Sequence, residues 1–230
     1  FREMLSTHRS LPNGFTEDMI LKAPSRDVMN KLARSTLALY SYDPDPENTA
    51  LDAELFRAVQ LIARYPVIVA HAFACKRHYY DNESLYLHRP QEGLSVAENF
   101  LYSVRHDNRF TAAEARLLDL CLVLHMEHGG GNNSAFTCRV LSSTGTDIYS
   151  AVAAAVGSLK GPKHGGANKK VMEMFGYIKE NVSDWKDDDE VSAFLEALLR
   201  REAGDRSGLI YGMGHAVYTM SDPRAVLLKQ

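Results

Sequence analysis

The sequence predicts an all-α protein, on two observations. Alternating apolar and polar runs are scarce. Helix-capping residues, by contrast, are followed again and again by apolar residues at a period near 3.6. No repeat of solenoid length interrupts this pattern. At 230 residues the chain suits one large domain or two smaller ones, and it can bury a real core.

Phe1 to Gly14 carries Pro12 and reads as a loop or frayed helix. Thr16 and Glu17 open a short helix that Pro24 should stop. Ser25 is expected to cap the next helix, whose apolar positions are Val28, Met29, Leu32, Leu37 and Leu39. Asp43-Pro44-Asp45-Pro46 is an extended break. Leu55, Val59, Leu61 and Ile62 belong to a third helix, and Pro66 fits the first turn of a fourth. His78 to Gly93 reads as a surface loop. Ser95 with Glu98, and Thr111 with Glu114, are capping boxes. The helix after Thr111 is apolar almost all round and is expected to be buried. Glycines 129–131 should end it, with only a short segment before Ser142. Residues 147–158, rich in alanine, permit close helix–helix approach. Asn168 is expected to cap a helix over Lys169–Lys179. Asp187, Asp188 and Asp189 favour another start, and Asp222-Pro223 a last one with Arg224 in its first turn.

Composition limits the partners. Net charge is −3 and no long basic run occurs, which weighs against nucleic acid. No apolar run approaches the length of a membrane span, and no signal peptide shows at Phe1, so no membrane partner is expected. An initial Phe is expected where the true start is missing or where the chain is an excised piece. Cys75, Cys121 and Cys138 are odd in number and lack metal-type spacing, which fits free thiols in a reducing, cytoplasmic setting.

Three histidines sit beside glycines near helix ends: His128, His164 and His215. His164 lies in Gly161-Pro162-Lys163-His164-Gly165-Gly166-Ala167-Asn168, where Pro162 breaks one helix and the next begins. Open N–H groups and the dipole of that next helix would disfavour imidazolium. A neutral imidazole donating a hydrogen bond could then steady a developing enolate oxygen. His8, His71, His78, His88 and His106 lack this setting and are assigned to structure or solvent. His125-Met126-Glu127-His128 lacks the spacing of helical zinc proteases, so no metal is expected. Cys121 sits in an apolar helix where a thiol stays inert. Gly212-Met213-Gly214 is too short for a nucleotide fingerprint, and no Gly-x-Ser-x-Gly elbow occurs. Arg224 can grip a carboxylate bidentately, or simply pair with Asp222.

Taken together, these pieces resemble the citrate synthase family. The likeness runs in order through Ser95 to Leu101, His125 to Asn132, Gly161 to Asn168, Gly212 to Tyr218 and Asp222-Pro223-Arg224. It implies a large helical domain over 1–167 and the start of a small helical domain over 168–230, ending before the family's catalytic aspartate. It implies condensation of acetyl-CoA with oxaloacetate to citrate and CoA, through an enol or enolate and citryl-CoA. His164 would hydrogen-bond the thioester carbonyl. His215 would bind the keto oxygen of oxaloacetate and supply a proton. His128 and Arg224 would hold its carboxylates. Gly212, Met213 and Gly214 would lie against CoA. No metal or prosthetic group is implied, CoA being a cosubstrate. A homodimer is implied, with the 147–158 helix supporting the interface. Further substrate arginines are expected outside this sequence. Thr219 stands where members often carry a cation near the CoA phosphates, and Lys163 is a candidate substitute. Lys169 and Lys170 replace an acid-containing sequence. Alternatives are 2-methylcitrate synthase, which takes propionyl-CoA, and a catalytically silent dimerisation scaffold.

Overall fold

The structure, a computed structural model, describes residues 1–126, 130–213 and 220–229. Among them no strand occurs. The helices are α1 (Arg2–Thr7), α2 (Val28–Ala38), α3 (Leu51–Asp81), α4 (Val96–Val104), α5 (Ala112–His125), α6 (Asn133–Ser142), α7 (Ile148–Lys160), α8 (Ala167–Asn181), α9 (Asp188–Leu199) and α10 (Pro223–Leu228). A π-helical turn, Thr16–Leu21, precedes α2, and a 3-10 turn, Leu39–Tyr42, follows it. The chain forms two compact units. One is Phe1–Ser158 with the last residues from Leu227, and the other is Leu159–Val226.

The first unit is built on α3. Leu61, Ile68, Ala72 and Cys75 of α3 pack with Phe15, Ile20, Leu32 and Leu39, and with Tyr149 and Val156 of α7. The sequence places a helix boundary at Pro66, yet α3 runs through it for 31 residues. A proline inside a helix costs about 3 kcal/mol. Burying Leu61, Val67 and Ile68 on either side contributes roughly 1.5–3 kcal/mol each, which outweighs the break. Contrary to the sequence expectation, α3 is long and apolar enough to cross a membrane. Its buried residues form the centre of this core instead. It ends at Asn82, whose φ of 56° is the left-handed cap conformation.

A charged cluster closes one end of α3. Arg57 is 5% exposed. Its Nε donates to Asp43 Oδ2 at 2.7 Å, and its other nitrogens donate to the carbonyls of Asn48 and Asp45. The Tyr149 hydroxyl donates to the same Asp43 oxygen at 2.7 Å. Burial raises the Asp43 carboxyl, but donors from Asp45, Arg57 and Tyr149 outweigh it and hold it below its usual range. The Asp-Pro-Asp-Pro break is thus tied to α3 and α7.

Both capping boxes form as the sequence predicts. The cap of α2 differs. Asp27 Oδ1 accepts from Asn30 N at 2.7 Å, while Ser25 Oγ accepts from Asp27 N and only shapes the preceding turn. The segment before Ser142 is itself a helix, α6, capped by Asn132, whose Oδ1 accepts from Ala135 N at 2.8 Å. The expected burial of α5 fails. Ala115 is its buried residue, whereas Leu117 is 58% and Val123 55% exposed. A helix apolar on every side needs cover on every side, and α4 packs on only one of them.

The second unit packs α8 on α9. Met174, Ile178, Val182 and Leu198 are buried, with Phe194, Leu195, Ile210 and Tyr211 against them. Asp187 caps α9, accepting from the N–H groups of Asp189 and Glu190 at 3.0 and 3.3 Å.

Candidate active site

The Gly161–Asn168 turn is wound more tightly than its sequence suggests. The Gly161 carbonyl accepts from both His164 N at 2.9 Å and Gly166 N at 3.1 Å. The amides of Ala167, Asn168 and Lys169 donate to the carbonyls of His164, Gly165 and Gly166 at 3.1–3.2 Å. Helix α8 therefore begins at Ala167 with Gly166 in the cap position, and Asn168 lies inside the helix rather than capping it. The first-turn amides expected to stand open to an anion are engaged by the turn itself.

The two glycines are a steric requirement. A Cβ at Gly166 would stand 2.7 Å from the Gly161 oxygen and 2.9 Å from both the Lys160 oxygen and Pro162 Cα. The chain can double back over the end of α7 only where no side chain intervenes. His164 is left half-buried, its backbone held on both sides.

Arg224 lies in the same unit, in the first turn of α10. Its guanidinium pairs with Asp222: Nη2 donates to Oδ2 at 2.7 Å and Nε to Oδ1 at 3.1 Å. The pairing with Asp222 is the geometry present here. Arg224 holds the Asp222 carboxyl down to about 2.

The loop leading to Gly212 is seated on α8. Tyr211 donates its hydroxyl to Asp205 Oδ2 at 2.7 Å, and Lys170 Nζ stands 3.6 Å from the same oxygen. Hydrogen bonds from Tyr211 and Ser207, with Lys170 nearby, hold Asp205 at about 2. Gly212 has φ +86°, and a Cβ there would lie 3.3 Å from Val171 Cγ2. Met213 is exposed. So α8 carries the His164 turn at its N-terminus and the glycine loop on its first turns. Lys170 is one of the residues that seats the loop. No sequence motif marks Asp205 or Tyr211 for this work.

His128, Gly214 and His215 lie outside the described residues, as does Thr219. Near the first of these, His125 Nδ1 donates to the Cys121 carbonyl at 2.6 Å. Asn133, next to the α6 cap, donates to Ser158 Oγ of α7 at 2.8 Å. The histidines assigned to structure make structural contacts. His71 bridges Thr16 Oγ1 and the His88 carbonyl, and His78 donates to Glu83 O at 2.8 Å. Burial holds His71 below its ordinary pKa.

Fold and site together define an all-helical chain of two compact units, with a histidine-bearing Gly-Pro turn where α7 gives way to α8. The chain belongs to the citrate synthase family: the sequence profile described as "Citrate synthase, C-terminal domain" matches residues 1–230. A citrate synthase of Heyndrickxia coagulans is 34% identical over 229 residues, 99% of this chain and 56% of that protein. A 2-methylcitrate synthase of Shewanella oneidensis is 32% identical over 173 residues, 75% of this chain and 41% of that protein. The crystal structure of citrate synthase from Pyrobaculum aerophilum superposes with a TM-score of 0.76 at 30% identity, covering 99% of this chain and 54% of that one. The chain spans about half the length of the curated relatives it matches.

Proposed function

We propose that this chain is part of an acyltransferase of citrate synthase type, condensing acetyl-CoA with oxaloacetate to give citrate and CoA. The observation that carries the reading is the Gly161–Lys169 turn. It fixes the backbone of His164 from both sides, as an oxyanion donor requires. In this reading the α-carbon gives its proton to the carboxylate of the family's catalytic aspartate while His164 hydrogen-bonds the thioester oxygen. The resulting enol or enolate attacks the keto carbon of oxaloacetate, His215 protonates the new alkoxide, and water cleaves citryl-CoA. His128 and Arg224 hold oxaloacetate carboxylates. Arg224 must then share or exchange Asp222 for the substrate, a like-for-like swap of one carboxylate for another. Gly212, Met213 and Gly214 line the CoA side. The large domain is taken as 1–167 and the small one as beginning at 168. Neither a metal nor a prosthetic group takes part.

The assembly proposed is a homodimer. Exposed apolar side chains on α5 and α6, among them Leu117, Val123 and Phe136, support it more directly than the 147–158 segment, where Tyr149, Ala151 and Val156 are already buried. Free thiols at Cys75, Cys121 and Cys138 support a cytoplasmic setting.

Oxaloacetate should raise the melting temperature of the chain, and His215→Ala should abolish the shift. No shift in the wild type would favour the silent scaffold. The Shewanella relative keeps propionyl-CoA in view as an alternative acyl donor. One methylene is worth only about 1–3 kcal/mol, so kcat/KM for the two acyl-CoAs decides between them.

A further inference from the structure

The turn carrying His164 is walled on one side by a residue that no motif singles out. Leu159 lies in the last turn of α7. A Cβ at Gly165 would stand 2.7 Å from Leu159 Cδ1, 3.0 Å from its Cγ and 2.7 Å from its carbonyl oxygen. The leucine side chain therefore rests directly on the backbone that follows His164. It is 38% exposed and is not part of the buried core of its unit, so packing that core is not its main role.

We propose that Leu159 is a positioning residue for His164. The proposal rests on the reading of His164 as the donor to the thioester oxygen. The physical need is clear. Hydrogen bonds between residues three apart have poorer geometry than those of an α-helix. Two successive glycines add the most permissive backbone available. The bond from Ala167 N to the His164 carbonyl restrains the peptide between His164 and Gly165 at its oxygen, and it is a bond of this weaker kind, which yields to a rocking of that peptide about its long axis. Leu159 blocks that motion on one side. An oxyanion donor works over a range of only about 2.7–3.1 Å, and a displacement of about 1 Å can cost 10²-fold in rate.

The test compares Leu159→Ala with Leu159→Met, which keeps the bulk. In the 230-residue chain, amide hydrogen exchange is read at His164 and Ala167, with Leu198 in the core of the same unit as reference. Leu159→Ala should lower protection at the first two by roughly 10-fold, leave Leu198 unchanged, and be rescued by Met. Unchanged protection at His164, or an equal loss at Leu198, overturns the proposal. In kinetics of the condensation by the full-length protein, Leu159→Ala should lower kcat about 10-fold, leave the KM for oxaloacetate unmoved, and again be rescued by Met. A changed KM with kcat intact overturns positioning. A wild-type chain whose melting temperature does not move with oxaloacetate removes the acyl-transfer reading. The exchange data still decide whether Leu159 holds the turn.

Discussion

Gly166→Ala isolates the steric logic of the histidine turn. Gly166 has φ −62°, so alanine meets no conformational penalty there, and only space is at issue. The added carbon would stand 2.7 Å from the Gly161 oxygen, 2.9 Å from the Lys160 oxygen and 2.9 Å from Pro162 Cα. All three are backbone atoms, which cannot swing aside as a side chain would. Overpacking of this kind costs about 1–3 kcal/mol, while alanine returns about 0.4–1 kcal/mol by restricting the unfolded chain. The expected net loss is about 1–2 kcal/mol. Gly176, inside α8, is the matched control, since nothing stands within 4 Å of a Cβ there. Gly176→Ala should therefore gain about 0.5–1 kcal/mol. Urea unfolding followed by the single tryptophan, Trp185, reports on this unit directly. Two substitutions of the same chemistry should move the midpoint in opposite directions. A Gly166→Ala midpoint at or above that of the wild type would refute the close approach described here.

Asp27→Ala should cost about 1 kcal/mol, and Ser25→Ala less than about 0.5, since the carboxylate and not the hydroxyl caps α2; urea midpoints separate the two. Arg57→Met should cost about 1.5–3 kcal/mol, because it removes the charged donor to the half-buried Asp43 carboxylate and to two carbonyls; calorimetry should show a lowered melting temperature. His71 has a folded-state pKa below the ordinary value of 6.5 because burial disfavours the charged ring. Its stabilising contribution is therefore full above that pH and declines as pH falls below it, where the unfolded chain takes up the proton first. The slope of melting temperature against pH below 6.5 should flatten in His71→Gln.

What could be read from the sequence follows the range of each interaction. The boxes at Ser95 and Thr111 close over three residues, so their partners stand side by side in the chain. The helical class and the ordered motifs are equally local. Pro66 misled because its clash is local while the burial that overrides it, around Leu61 and Ile68, comes from α2 and α7. Asn168 misled for a related reason: the glycines before it let carbonyls take the amides a cap would have served. The α6 helix was signalled only by Asn132, hidden behind three glycines that read as loop. Contacts around the site, Leu159 on Gly165 and Asp205 with Tyr211 and Lys170, join residues of ordinary type and carry no pattern of their own.

Helix α8 works as a lever with two loads at one end. The His164 turn is continuous with its first residue, and Lys170 and Val171 seat the loop that reaches Gly212. A roll of this rod about its axis displaces both loads together and in fixed proportion. Changes on its far side, well away from both, can then move the turn and the loop as a pair without touching either.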